Sequence, residues 1–334
     1  MQDTIRGAYH IGLVVFALAS ALLAVPAAHS QPTARVARIG WLSASKTSGD
    51  TDSNFEALKK GLSDLGYVEG RNIDFEKRWA AGVAARLPEL AAELVRLKVD
   101  VICTAGTPAS MAAKAATSTI PIVFANVAFP DQSGLVASYA HPGGNVTGVA
   151  FVGPEYGKRL ELLKEATPKL HRLALIYNAD NRGSVLALAE TQRWAKSLDV
   201  VIEPHSVRGP QDLKGVFDAI AQSHPDALMT TADVFILSSR APIVEFAAKG
   251  RLPSMFPDRG YVDAGGMMFY GGSIPDMYSH AATYIDRILK GAKPSDMPVE
   301  QPRKFDMVIN LRAARILGVT IPQTLILRAD QVID

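Results

Sequence analysis

The sequence has very little cysteine: Cys103 is the only one among its 334 residues, so no intrachain disulfide can form. Cys103 ends the apolar run Val99–Cys103, which favours a small buried hydrophobic side chain over a nucleophile. An excess of one charge is lacking too, because 35 Lys and Arg residues balance 33 Asp and Glu residues to a net charge of +2. A nucleic-acid partner needs a clustered basic face, so we expect none.

Motifs for enzymatic chemistry are also lacking. The string Gly153–Arg159 comes nearest to a phosphate-binding loop, but it has one spacer too few and an Arg where a metal-binding hydroxyl belongs. The sequence contains no G-x-S-x-G nucleophile elbow and no His or Cys pattern for a metal. We therefore expect no cofactor, no metal and no catalytic residue. A catalytic pair assembled only by folding remains an alternative, since a fold by itself does not fix function.

Long hydrophobic runs are confined to the N-terminus, where Ile11–Val25 follows a single cation, Arg6. Small residues come next, in Pro26–Ser30, and this order is typical of a secretory signal peptide. The run is short for a bilayer, which needs about 20 residues, so a membrane anchor is the less favoured alternative. No Cys lies directly after the run, so we expect no lipid-modified anchor. We predict a signal peptide over residues 1–30 and export to the periplasm, and leave the cleavage site open.

The remainder of the chain alternates short apolar runs with helical periodicity. This alternation predicts an α/β fold with parallel sheets and helices on both faces. The predicted strands are Val36–Leu42, Asn72–Trp79, Val99–Cys103, Ile120–Val127, Arg172–Tyr177, Val200–Val207, Ala227–Thr230, Pro253–Phe256, Gly266–Tyr270 and Phe305–Asn310.

The alternation occurs twice, and the turn-rich stretch His141–Gly148 separates the two units. We predict two doubly wound parallel-sheet lobes joined by a hinge. The first lobe takes residues 35–148 plus about 271–300, and the second takes 149–270 plus about 301–334. The pairs Gly265–Gly266 and Gly271–Gly272 are expected to give the backbone freedom that a crossing between lobes requires.

Polar residues concentrate at four strand-to-helix turns, two from each predicted lobe. In doubly wound sheets, ligands bind outside the carboxyl ends of the strands, where helix N-termini present free N–H groups. Ordinary helix capping explains the same residues, and both interpretations hold when a cap lies beside the cleft. The turns are Ser43–Ser45, Thr104–Pro108, Asn178–Ser184 and Thr230–Asp233.

Several strings, taken in order and spacing, resemble the ABC-transporter substrate-binding proteins of the tryptophan-binding-protein-like branch. The similarity runs from about residue 36 to the C-terminus and implies a type I periplasmic-binding fold, three crossings between lobes and a role in feeding an ABC importer. The strings are Gly66–Asn72, Gly143–Gly148, Leu289–Pro294, Pro298–Pro302 and Val308–Leu311, followed by Ala314, Leu317–Gly318 and Ile321–Pro322.

The resemblance also implies ligand-contacting residues. Those that match the family's turns are Ser43, Thr107, Pro108, Asn181, Ser184 and Asp233. One position departs: where relatives often have Asp-Pro after the fourth strand, this chain has Phe129-Pro130. Phe129 is expected either to stack on a flat ligand or to pack in the core.

We expect the helix N-termini at Thr107 and Ser184 to bind a carboxylate, with Arg182 or Arg259 as a bidentate clamp. A solvated arginine is the alternative for either one. Asp233 is expected to accept a hydrogen bond from an amine or a hydroxyl. The predicted apolar walls are Phe129, Phe256 and Tyr270.

The predicted ligand is an amino acid or a small carboxylate, aromatic ones included, and the other predicted partner is an ABC transporter permease. The protein is expected to be a monomer. Two alternatives stay open: a ligand-sensing partner of a membrane receptor, and an exported α/β enzyme.

Overall fold

The computed structural model describes residues 35–45, 52–151 and 155–334. The predicted signal peptide lies outside the described residues. Val36–Asp334 forms one compact unit. No helix within the described ranges has the length and apolar character needed to cross a membrane.

The first sheet has five parallel strands in the order β2-β1-β3-β4-β5. Its central strands are apolar on both faces, as expected for parallel strands that helices cover on each side. The strands are β1 (Ala37–Ser43), β2 (Ile73–Trp79), β3 (Val101–Ala105), β4 (Ile122–Ala128) and β5 (Val146–Phe151).

The second sheet has seven strands in the order β12-β11-β10-β9-β8-β6-β7. All neighbours are parallel except β10 and β11, which are antiparallel. The strands are β6 (Arg172–Asn178), β7 (Val201–Val207), β8 (Ala227–Thr230), β9 (Ser254–Phe256), β10 (Met268–Gly271), β11 (Asp306–Asn310) and β12 (Gln331–Ile333). The predicted α/β class with parallel sheets is confirmed.

Helices connect most of the strands. They are α1 (Ser53–Asp64), α2 (Leu87–Arg96), α3 (Gly106–Ala116), α4 (Glu155–Ala166), α5 (Arg182–Ser197), α6 (Leu213–Ser223), α7 (Val234–Ser238), α8 (Arg240–Lys249), α9 (Arg259–Asp263), α10 (Ile274–Leu289), α11 (Leu311–Leu317) and α12 (Gln323–Arg328).

Helix α10 packs against the first sheet, although it follows β10 of the second sheet in the chain. Its apolar face, which includes Tyr278 and Ala282, is buried with α1. The approach is close: a Cβ on Gly61 of α1 would lie 2.6 Å from Ser279 O, so only glycine fits there. The core of the first sheet is therefore completed by a segment from near the end of the chain.

The chain passes between the two sheets after β5, after β10 and again before β11. The third passage runs along β5, where Ala150 N donates to Glu300 O at 2.8 Å and Thr147 Oγ1 donates to Met297 O at 2.6 Å. Strand β5 extends to Phe151, three residues past the predicted boundary at residue 148. The division of the chain into lobes remains a prediction.

The glycine pairs do not supply the backbone freedom that we expected. Of the four, only Gly265 has a positive φ, at 103°. The others permit close packing instead: a Cβ on Gly266 would lie 2.8 Å from the Phe256 ring, and one on Gly272 would lie 2.8 Å from Pro302.

Candidate functional site

The candidate site lies where strand-to-helix turns of the two sheets meet. A Cβ on Gly183, in the first turn of α5, would lie 2.6 Å from Thr107 Oγ1 and 3.3 Å from Ala128 O. A Cβ on Gly106, at the start of α3, would lie 3.0 Å from Val234 Cγ2. The carboxyl ends of β3 and β4 therefore contact those of β6 and β8 with almost no space between them.

A buried carboxylate organises the second-sheet side of this junction. Asp233, 6% exposed, accepts hydrogen bonds from Asn181 Nδ2 at 2.8 Å, Asn178 Nδ2 at 3.1 Å and Ile236 N at 3.0 Å. The last of these bonds caps α7. Burial raises the pKa of Asp233, and the hydrogen bonds from Asn181, Ile236 and Asn178 oppose that rise.

Hydroxyl groups continue the network. Ser184 Oγ lies 2.5 Å from Thr231 Oγ1 and accepts a hydrogen bond from Asn178 N at 2.9 Å. Asn181 caps α5 by accepting from Gly183 N at 2.9 Å. The structure thus brings Asn181, Ser184 and Asp233 together, with the α5 turn packed on Thr107. Pro108 follows Thr107 in the first turn of α3 and is partly buried.

Ser43 lies at the end of β1 and is buried behind a second group of polar residues. Its Oγ is 2.9 Å from Ser45 Oγ, and Ser45 Oγ donates to Asp52 Oδ2 at 3.3 Å. Asp52 also accepts from Trp79 Nε1 at 3.0 Å and caps α1. These contacts fix the first turn of α1 beside the carboxyl end of β1.

A cavity of about 720 Å³ lies beside this junction. A small-molecule site has roughly 300–1,000 Å³, so the size suits a small ligand. The starts of α1 and α10 form one side, and α7 and α9 form the other. The charged residues that line it are Asp52, Asp258, Asp263, Asp276, Asp306, Arg240 and Arg259. Acidic groups therefore outnumber the two arginines on its wall.

The two arginines predicted as clamps are both exposed. Arg259 lines the cavity, and its Nε lies 3.5 Å from Asp263 Oδ1. Arg182 Nη2 donates to Gln132 O at 3.2 Å, which links the start of α5 to the segment that follows β4. Neither geometry is that of a bidentate clamp aimed into the junction.

Two of the predicted aromatic walls lie elsewhere. Phe256 is fully buried and stacks on Tyr261, with ring centroids 4.3 Å apart, in the core of the second sheet. Tyr270 stacks on Phe305 with centroids 6.0 Å apart. Neither lines the cavity. Their positions on the core side of the second sheet follow from tight packing that the sequence pattern does not reveal.

Phe129 follows β4 with a left-handed φ of 51° and is 7% exposed. Its ring stacks on Tyr156 of α4, with centroids 6.0 Å apart and planes 18° apart. Phe129 therefore links the end of β4 in the first sheet to α4, the helix that follows β5.

Sequence reasoning missed the charged residues of α4. Arg159 is 0% exposed; its Nη2 lies 2.5 Å from Glu155 Oε2, and its Nε donates to Tyr270 O at 2.7 Å. The guanidinium lies 5.1 Å from the Phe151 ring and 5.0 Å from the Tyr156 ring. A helical reading of residues 155–166 would have placed Glu155, Arg159 and Leu163 on one face, with charges at core positions.

No group of three or more His, Cys, Asp or Glu side chains within the described ranges is arranged to hold a metal ion.

Comparison with known proteins gives a family match and a curated relative that are both solute-binding proteins. Residues 47–333 match the model of the family described as ABC transporter substrate binding protein. A curated tyrosine-binding protein from Clostridioides difficile is 28% identical over 251 residues, which are 75% of this chain and 72% of that protein.

Solved structures agree in fold. A conserved domain protein from Vibrio cholerae is 27% identical, with a TM-score of 0.84, and the match covers 89% of this chain and 100% of that chain. A Streptococcus pneumoniae ABC domain solved in complex with L-Trp is 26% identical, with a TM-score of 0.83 and the same coverage. The chain therefore belongs to the ABC transporter substrate binding protein family, a family of solute-binding proteins rather than of enzymes.

Proposed function

We propose that this protein is a periplasmic receptor that captures a small amino-acid-like solute between its two sheets and delivers it to an ABC importer. The observation that carries the proposal is the buried polar network at the junction of the sheets, in which Asp233 binds Asn178 and Asn181 and the α5 turn packs on Thr107. Buried polar groups stabilise a structure only when they are paired, so such a network defines one closed geometry.

The relatives support an amino acid as the solute. The curated relative from Clostridioides difficile is named for tyrosine, and the Streptococcus pneumoniae structure holds L-Trp. The cavity beside the junction is large enough for a solute of that size. The aromatic rings of Phe129, Phe151 and Tyr156 pack on one another near the junction.

In the proposed mechanism, separation of the sheets admits the solute and its binding favours the closed arrangement. Closure buries the solute and brings the α5 turn against Thr107. A permease that prefers the closed form then receives only loaded protein. Ligand binding shifts such an equilibrium by its differential affinity for the two forms.

Ligand screening of the mature protein, purified from the periplasm of an expression host, tests the capture step. Bound solute is first removed by partial unfolding, and amino acids and small carboxylates are then added at about 100 times their dissociation constant. Binding at that level stabilises the folded state by about 2.7 kcal/mol. At roughly 2 °C per kcal/mol for a chain of this size, the melting temperature should rise by about 5 °C.

Recovery of the hit then separates the alternatives. A selective ligand recovered unchanged supports a binding protein, whereas a ligand consumed during incubation supports an enzyme. If no amino acid or carboxylate raises the melting temperature, the proposal is wrong about its solute.

Delivery is tested in cells of the source organism. Deletion of the gene should abolish high-affinity uptake of the radiolabelled hit, and the protein should appear in the osmotic-shock fraction. Uptake that survives the deletion unchanged would contradict a transport role and favour sensing.

A further inference from the structure

Arg159 of α4 is a fully buried cation, and one of its guanidinium nitrogens has no hydrogen-bond partner. Its Nε and Nη2 have partners in Tyr270 O and Glu155 Oε2, whereas Nη1 is buried without a hydrogen-bond partner. A buried guanidinium is costly unless its donors are satisfied, and unpaired buried donors are rare in folded proteins. An acceptor for Nη1 is therefore what this position lacks.

A second unpaired group lies beside it. The hydroxyl of Tyr156 is buried without a hydrogen-bond partner, and its nearest polar neighbours are the Arg159 guanidinium and the backbone of Ala232. Two donors are thus directed at the same neighbourhood. Ala232 belongs to the turn after β8 that also carries Thr231 and Asp233 of the junction network.

The same neighbourhood adjoins the cavity. Tyr156, Ala232, Leu237 and Ile274 pack in one apolar cluster, and Leu237 and Ile274 also line the cavity. Arg159 Nη2 would lie 3.3 Å from a Cβ on Gly271, and the next residue, Gly272, is on the cavity wall. Arg159 therefore does not line the cavity but lies directly behind its wall, beside Gly271.

We propose that Arg159 and Tyr156 bind the carboxylate of the captured solute, with Arg159 Nη1 and the Tyr156 hydroxyl as donors. This inference rests on the proposed function and names the group by which the solute is recognised. A guanidinium suits a carboxylate because it remains charged, and here Nη1 is the nitrogen that Tyr270 O and Glu155 leave for the solute. The rings of Phe151 and Tyr156, about 5 Å from the guanidinium, exclude water from that contact.

The assignment differs from the one that the sequence suggested. Arg182 and Arg259 are exposed and already in contact with Gln132 O and Asp263. Arg159 differs from them because its unpaired donor, Nη1, is buried away from water. The predicted clamp is thus moved from two exposed arginines to a buried one behind the cavity wall.

The first arm of the test varies the ligand and leaves the protein intact. Calorimetric titration of the mature protein with L-tyrosine, 3-(4-hydroxyphenyl)propionate, L-tyrosinamide and tyramine compares carboxylates with analogues that lack one. The two carboxylates should bind at least about tenfold more tightly than the amide and the amine, which is the scale of a charged hydrogen bond.

The second arm removes single groups. Tyr156→Phe deletes only the hydroxyl and should weaken carboxylate binding several-fold while leaving tyramine binding unchanged. Arg159→Lys keeps the charge but loses the planar fork, and should abolish the preference for carboxylates. Tyr284→Phe is the matched control, because Tyr284 belongs to the same apolar cluster as Tyr156. The Tyr284 hydroxyl already donates to Pro298 O at 2.7 Å, so its removal should not change the preference for carboxylates.

The outcomes separate the two proposals. If none of the four probes binds the wild-type protein and no amino acid or carboxylate raises its melting temperature in the screen, the proposed amino-acid receptor is contradicted. If the carboxylates bind but the amide binds equally well, or Tyr156→Phe keeps the full preference, the proposed function stands and the carboxylate assignment is overturned. The first arm and Tyr156→Phe decide the question even if Arg159→Lys fails to fold.

Discussion

Gly183→Ala should weaken ligand binding without weakening the fold. The added methyl group would lie 2.6 Å from Thr107 Oγ1 across the junction, against about 3.5 Å for an unstrained contact. Gly183 lies in the first turn of α5 with no left-handed φ, so alanine suits the helix itself and should stabilise it by about 0.5–1 kcal/mol. Overpacking of this kind costs about 1–3 kcal/mol, and here only the closed arrangement bears that cost.

The expected dissociation constant therefore rises by roughly 5- to 150-fold, at about 1.4 kcal/mol for each factor of ten. Titration calorimetry with the ligand found by screening measures the affinity, and urea denaturation of the ligand-free protein measures the fold. Gly215→Ala is the matched control, because Gly215 also lies in a helix but a Cβ there meets no atom within 4 Å.

Two results would refute the reasoning about closure. One is a Gly183→Ala protein that binds its ligand as tightly as Gly215→Ala does. The other is a loss of unfolding free energy in the ligand-free protein as large as the loss in binding. Removal of the opposing atom in a Gly183→Ala/Thr107→Ala double variant should recover part of the affinity, as expected for two sites in direct contact.

Three further predictions concern individual residues. Burial raises the pKa of Asp233, so the stability that its proton confers is fully present below the ordinary Asp pKa of about 3.9 and is lost as pH rises above it. Urea denaturation between pH 4 and 8 should therefore show a falling unfolding free energy in the wild type and not in Asp233→Asn. Parallel plots of unfolding free energy against pH for the two proteins would contradict this. Phe256→Ala should cost about 3–5 kcal/mol of unfolding free energy because the ring is buried against Tyr261; if Phe256→Leu lost ligand affinity at normal stability, the residue would belong to the ligand site instead. A Cβ on Gly148, which has a φ of 150°, would overlap Phe124 O in the neighbouring strand. Gly148→Ala should therefore lower the urea midpoint severely or prevent folding. A midpoint like that of the wild type would show that the two strands can separate to accept the methyl group.

Local pattern was enough to predict most of the sheet. Buried parallel strands such as Val101–Ala105 are short apolar runs between turn formers, and amphipathic helices such as Leu213–Ser223 show a clear period, so both are visible in the sequence. The meeting of Ser184 with Thr231 near Asp233 was also foreseeable, because β6 and β8 are parallel neighbours and their carboxyl ends share one edge of the second sheet.

Other parts depended on contacts that no local pattern encodes. The start of β5 was assigned to the boundary between the two predicted lobes, because turn-forming glycines precede the strand and Gly148 lies inside it. Gly148 is instead needed for the close approach of β5 to β4. Residues 234–249 have the apolar pattern of one helix but form two, α7 and α8, that meet at Ser239. Arg159 was overlooked because a charged residue in a helix is normally solvated, whereas here Tyr270 O and the Phe151 ring, both in other elements, enclose it.

The position of α10 has a consequence for the order in which the protein can fold. The first sheet ends at Phe151, yet the helix that covers Trp41 and Phe55 begins only at Ile274, more than one hundred residues later. A chain released up to residue 273 would keep that apolar face uncovered, so the first half cannot reach its final structure before nearly the whole polypeptide is available. Contacts between such distant segments slow folding. A chain that folds late in this way stays extended for longer, which suits the export proposed above.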